Sequence, residues 1–99
     1  MASFKDIINS EKPVVVDFFA EWCSPCKMMT PILEQVKKSL GDQVTIIKID
    51  VDKNQKLAIK HNVRGVPTLK VYQHGVERWS GSGLIQADKL VNVIHSTTT

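Results

Sequence analysis

The sequence predicts an α/β fold, a mixed four-stranded sheet flanked by helices. Three observations carry this. Val14-Val15-Val16-Asp17-Phe18-Phe19-Ala20 has the apolar, β-branched and aromatic character of a strand covered on both faces. Lys27 to Leu40 follows with Met28, Met29, Ile32, Leu33, Val36 and Leu40 at helical spacing, and Val44 to Asp50 returns as a second strand. Strand, long helix and strand make a right-handed βαβ unit with parallel strands. Later, His74-Gly75 separates Thr68–Tyr72 from Val76 to about Ser80, an antiparallel hairpin.

The remaining elements fit around this frame. Ser3 is an N-cap for a short helix in which Phe4, Ile7 and Ile8 share a face. Pro13 marks entry to the first strand. Pro31 falls inside the long helix and should kink it, and Gly41 ends it as a cap. Asp52-Lys53-Asn54 is a polar helix entry; Leu57, Ala58 and His61 mark a short helix, and Asn62 a left-handed exit. Leu90, Val91 and Ile94 give the last helix. Ser96 to Thr99 is expected to fray. No repeat, linker or low-complexity stretch interrupts residues 1–99, which read as one domain with a frayed tail over 96–99.

Bulk composition excludes several classes. The 99 residues are 42% hydrophobic, ordinary for a soluble globular protein. No apolar run approaches the roughly 20 residues that span a membrane, and no basic start followed by an apolar stretch marks a secretory signal. A cytoplasmic location is therefore expected. The net charge of +3 is spread from Lys5 to Lys89, with no basic stripe and no interleaved aromatics, so no nucleic-acid partner is expected. Two cysteines at close spacing are not a disulfide scaffold.

Those cysteines carry the chemistry. Glu21-Trp22-Cys23-Ser24-Pro25-Cys26-Lys27 lies at a strand-to-helix turn, with Cys23 at or just before the helix start. Unpaired N–H groups and the positive helix end favour thiolate, so the ordinary thiol pKa of about 8.5 should fall toward neutrality. Pro25 suits the first turn, where its missing N–H is no loss. Residues three apart share a helix face, so Cys26 comes up beneath Cys23 and a short disulfide is geometrically possible. It would close too small a loop to add much stability, which favours electron transfer over bracing. Two inert core thiols are disfavoured by an exposed turn. Half of a zinc site is disfavoured because His61, His74 and His95 lie far apart and in no paired motif.

Trp22-Cys23-Ser24-Pro25-Cys26-Lys27 resembles the active-site loop of the thioredoxin family. Val16-Asp17-Phe18, Pro31 and Arg64-Gly65-Val66-Pro67-Thr68 keep step with that family in the same order, so the resemblance covers almost the whole chain. It implies the thioredoxin fold, here with the outer N-terminal strand absent. It also implies a thiol–disulfide oxidoreductase that reduces protein disulfides, with Cys23 as nucleophile and Cys26 as resolving thiol. The expected partners are disulfide-containing clients and an NADPH-dependent flavoprotein reductase. A monomer with no bound cofactor and no metal is expected. Two alternatives are a disulfide oxidase or isomerase of the same fold, and a non-catalytic binding subunit using the surface around Trp22 and Val66.

Asp17 sits within an apolar run, where an unpaired buried carboxylate would hold its proton more tightly. The resemblance makes it the proton acceptor for Cys26, with Lys48 modulating it; a plain surface lysine is the other reading of Lys48. For Pro67, base rates favour a trans bond. The resemblance instead implies a cis-proline facing the disulfide, with Val66 backbone groups free to pair with an extended client. Trp22, Ser24, Pro25, Gly65 and Gly83 complete the expected client surface, with Gly81 competing for the last position. Trp79, Met28, Met29 and the histidines read as structural.

Ser24 stands where the family more often has Gly. Its hydroxyl can donate to the Cys23 thiolate and so favour the reduced form. The expected outcome is a modestly higher reduction potential than in Ser24→Gly, read by equilibration in dithiothreitol buffers. An equal or lower potential rejects this reading.

Overall fold

A computed structural model describes residues 3–99. Helix α1 (Phe4–Ile8) opens with a capping box: the Asp6 amide donates to Ser3 Oγ at 3.1 Å, and the Ser3 amide donates to Asp6 Oδ2 at 3.3 Å. Strand β1 (Val14–Phe19) leads into α2 (Ser24–Leu40), which starts three residues before the expected Lys27. Cys23 is its N-cap, and its sulfur accepts the Cys26 amide, so the turn itself begins the helix. Pro31 lies inside α2, and Gly41 caps it at φ 55° with its N–H on Lys37 O.

A single 3-10 turn, Gly41–Gln43, precedes β2 (Thr45–Asp50). Helix α3 (Gln55–Lys60) exits through Asn62 at φ 58°, the left-handed position expected of it. Strands β3 (Thr68–Gln73) and β4 (Val76–Ser82) are joined at His74 and Gly75, both with positive φ. Helix α4 (Ala87–Thr97) closes the fold.

The sheet order is β2-β1-β3-β4, with β1 parallel to β2 and antiparallel to β3, and β3 antiparallel to β4. Strand β1 is therefore interior, and β2 is an edge. On one face Val15, Leu69 and Val71 pack under Met29, Leu33 and Val36 of α2 and Leu90 and Ile94 of α4. On the other, Val14, Val16, Phe18 and Tyr72 pack with Phe4, Ile7 and Ile8 of α1 and with Val63. Both faces of β1 are thus covered, as its unbroken apolar sequence requires.

Two expectations change. Residues 96–99, expected to fray, continue α4 to Thr97 and then pair with Gln73. The Thr99 amide donates to Oε1 of the buried Gln73 at 2.9 Å, while Gln73 Nε2 donates to Thr99 O at 2.8 Å. One buried amide side chain supplies the anchor that a polar tail lacks on its own. Strand β4 extends two residues beyond Ser80 because Gly81 and Ser82 continue the ladder opposite Leu69 and Thr68.

Candidate active site

The carboxyl end of β1 and the first turn of α2 bring the cysteines together. Cys23 and Cys26 form a disulfide with Cα atoms 5.3 Å apart. The Cys26 amide donates to Cys23 Sγ at 3.2 Å, one of the free N–H groups of the helix start aimed at that sulfur. Cys23 was expected at an exposed turn, but it is only 4% exposed, hardly more than Cys26 at 2%. The reason is packing: the pair sits in its own apolar cluster with Ala20, Phe19, Val51 and Val66.

Asp17 is fully buried, and neither carboxylate oxygen has a hydrogen-bond partner. The solvent-facing reading of this residue is thereby removed. By strand alternation its side chain shares the α2 face with Val15. Burial pushes its pKa up from 3.8 to about 6, against the opposing pull of the Lys48 charge. Lys48 is its register partner on β2. Lys48 is exposed, yet its ammonium is not loose: it donates to Thr30 Oγ1 at 3.0 Å and lies 4.9 Å from the Phe19 ring centroid. An open cleft of about 230 Å³ is lined by Phe19, Ala20, Glu21, Cys26, Lys27, Thr30 and Lys48.

A second open cleft is lined by Trp22, Val51, Val63, Arg64, Gly65 and Val66, of which Val51 and Val66 also pack against the cysteine pair. Trp22 is 70% exposed and is held by its Nε1–H, which donates to Asp52 Oδ2 at 2.9 Å. The Val66–Pro67 peptide is cis. Pro67 O accepts the Gly83 amide at 2.9 Å, so Gly83 stands beside Pro67. Gly81 and Gly83 both line a further cleft beside Trp79, but their surroundings differ. A Cβ on Gly81 would come within 2.4 Å of the Trp79 indole, which covers it. Ser24 and Pro25 form the exposed first turn of α2 next to Trp22.

Of the expected site residues, Cys26 and Lys48 line the first cleft and Trp22, Gly65 and Val66 the second; Cys23, Asp17 and Pro67 line neither, and Gly83 lines a separate one with Gly81 and Trp79. Sequence reasoning missed Thr30 and Asp52. Thr30 lies four residues after Cys26, one turn along the same helix face, and that spacing was the available signal. Asp52 read only as part of a helix entry. Among the described residues no group of three or more His, Cys, Asp or Glu side chains could hold a metal ion. The remaining polar features are structural. His61 Nδ1 and Tyr72 Oη lie 2.9 Å apart, and the His61 ring packs against Phe4.

The family model described as Thioredoxin matches residues 1–96. Thioredoxins from Rickettsia typhi and Rhodospirillum rubrum are each 38% identical; the matches cover 96% and 97% of this chain and 91% and 93% of theirs. Among solved structures, a mutant thioredoxin from Halobacterium salinarum superposes with a TM-score of 0.85 at 35% identity, covering 100% of this chain and 88% of that one.

The Asp17 carboxyl yields a stability prediction. It holds its proton to about pH 6 in the folded state against 3.8 ordinarily, so between those values the folded state binds more protons. Stability then falls as pH rises through that window, by of order 3 kcal/mol at roughly 1.4 kcal/mol per pH unit. Asn imitates the protonated form. Asp17→Asn is expected to stabilise the protein by about that amount near neutral pH and by little near about pH 4. Urea denaturation across pH checks this, and a pH-independent difference contradicts it.

Proposed function

Because the chain belongs to the thioredoxin family, a thiol–disulfide oxidoreductase group working through its own cysteine pair, we propose that Cys23 is the attacking thiolate and Cys26 the resolving thiol. The observation that carries the assignment is the helix-start geometry, in which a backbone N–H points at Cys23 Sγ and not at Cys26. Cys23 thiolate attacks one sulfur of a client disulfide. A Cys23–client mixed disulfide forms, and the other client sulfur leaves as thiolate and takes up a proton. Cys26, losing its proton to the Asp17 carboxylate, attacks Cys23 Sγ. The Cys23–Cys26 disulfide forms, and the second client thiol is released. Two electrons pass to the client, and the chain is left oxidised, as in this structure.

Asp17 suits proton transfer because it is buried, unpaired and titrates near neutrality. Lys48 beside it keeps the carboxylate available at neutral pH. Trp22, Ser24, Pro25, Gly65, Val66, Pro67 and Gly83 form the surface on which an extended client segment lies, with the Val66 backbone offering strand-like hydrogen bonds. Trp22 and Val66 are the apolar anchors.

Thioredoxins work with disulfide-bearing clients and with reductase partners. The reductase proposed here is an NADPH-dependent thioredoxin reductase. We read the chain as a single thioredoxin-like domain acting as a monomer. A cytoplasmic setting fits a dithiol that must be kept reduced. Among the described residues no helix is long and apolar enough to cross a membrane.

Single substitutions separate the two thiols. Cys26→Ser, mixed with a disulfide-bonded model protein, is expected to accumulate a one-to-one mixed disulfide that dithiothreitol cleaves. Cys23→Ser is expected to form none. Trapping through Cys26 in the Cys23→Ser variant, read by non-reducing electrophoresis and mass spectrometry, reverses the assignment.

A further inference from the structure

The cleft beside Cys26 is walled by two elements that meet through a side chain the mechanism above does not use. Helix α2 contributes Thr30 and the edge strand β2 contributes Lys48, and Lys48 Nζ donates to Thr30 Oγ1 at 3.0 Å. We propose that Thr30 is a positioning residue, whose hydroxyl holds the Lys48 ammonium at the mouth of the Cys26 cleft and so beside Asp17. This rests on the reading of Asp17 as proton acceptor.

Lys48 is exposed and has a flexible four-carbon stem. With nothing to hold it, its ammonium would range through water, because ordering such a chain costs rotamer entropy. Two contacts hold the ammonium itself. One is the Thr30 hydroxyl; the other is the Phe19 ring, whose centroid is 4.9 Å away. The hydroxyl is the directional one, and it comes from the helix that also carries Cys26. The strand register places Lys48 directly alongside Asp17.

The charges that face Asp17 are few. From β2 there is Lys48, its register partner and the one charge among the described residues that shifts it. Leu69, its partner on β3, does not titrate. Glu21 and Lys27 also line the cleft, and neither is among the charges that shift Asp17. Lys48 is the charge that opposes the effect of burial on the Asp17 carboxyl. Where its ammonium stands therefore sets the pH at which the carboxylate becomes available to Cys26.

Thr30→Val keeps the branched shape and removes the hydroxyl; Thr30→Ser keeps the hydroxyl. The test follows the Asp17 carboxyl by NMR titration and, separately, the pH profile of Cys26 attack on a preformed mixed disulfide. Thr30→Val is expected to raise the Asp17 midpoint by about half a pH unit, a fraction of the roughly 1–3 units an adjacent opposite charge produces. The attack profile should move the same way, and Thr30→Ser should match the natural sequence in both. A midpoint unmoved in Thr30→Val, or moved equally in Thr30→Ser, overturns the positioning role. Asp17→Asn isolates the underlying reading. If it leaves the attack profile unchanged while Thr30→Val still moves the carboxyl midpoint, positioning by Thr30 stands and proton transfer to Asp17 falls.

Discussion

Asp17 places a carboxyl group in the interior strand of the sheet, fully buried and with neither oxygen hydrogen-bonded. An arrangement of this kind is destabilising, since a buried polar group without a partner loses its hydration for nothing in return. The surrounding strand offsets it. Val14, Val15, Val16 and Phe18 are all fully buried, and each large apolar side chain removed from water contributes roughly 1.5–3 kcal/mol. The fold can hold an ionisable group at its centre because the strand on either side of it is almost entirely apolar. Such groups are retained where chemistry uses them.

The other features of the site are arranged around that carboxyl. The strand that buries Asp17 ends at Phe19, and a four-residue turn takes the chain into α2. The helix start then aims a free N–H at Cys23 and sets Cys26 one turn behind. The edge strand β2 brings Lys48 alongside, and α2 holds its ammonium through Thr30. Two open clefts lie around the site. Trp22 and Val66 line one of them, with Val51, Val63, Arg64 and Gly65. Lys48 and Thr30 line the other, together with Cys26, Phe19 and Ala20.

Much of this was legible in the residues. Period and turn chemistry placed every helix and strand, because the apolar run of β1, the helical spacing after Cys26 and the His74-Gly75 turn are local signals. Asn62 and Gly41 were legible because left-handed positions restrict residue type. What the residues did not disclose depends on contacts between distant segments. Cys23 is buried because Val51 and Val66, remote in sequence, close over the pair. The tail pairs with Gln73 across 26 positions. Gly81 and Gly83 look alike in Gly81-Ser82-Gly83, and only the Trp79 ring over one and the Pro67 carbonyl against the other tell them apart. Thr30 and Lys48 are 18 positions apart, and no local pattern joins them.

The account stands or falls on the Cys23–Cys26 pair cycling as a reducing dithiol. The direct measurement is its reduction potential, by equilibration of the natural protein in graded dithiothreitol or glutathione buffers with free thiols counted at each point. The account predicts an intramolecular disulfide with a potential near the value general to thioredoxins, about −270 mV. A potential of roughly −180 to −120 mV, in the range of disulfide isomerases and oxidants, would contradict the direction of electron flow. A pair that never closes into an intramolecular disulfide would contradict the chemistry itself.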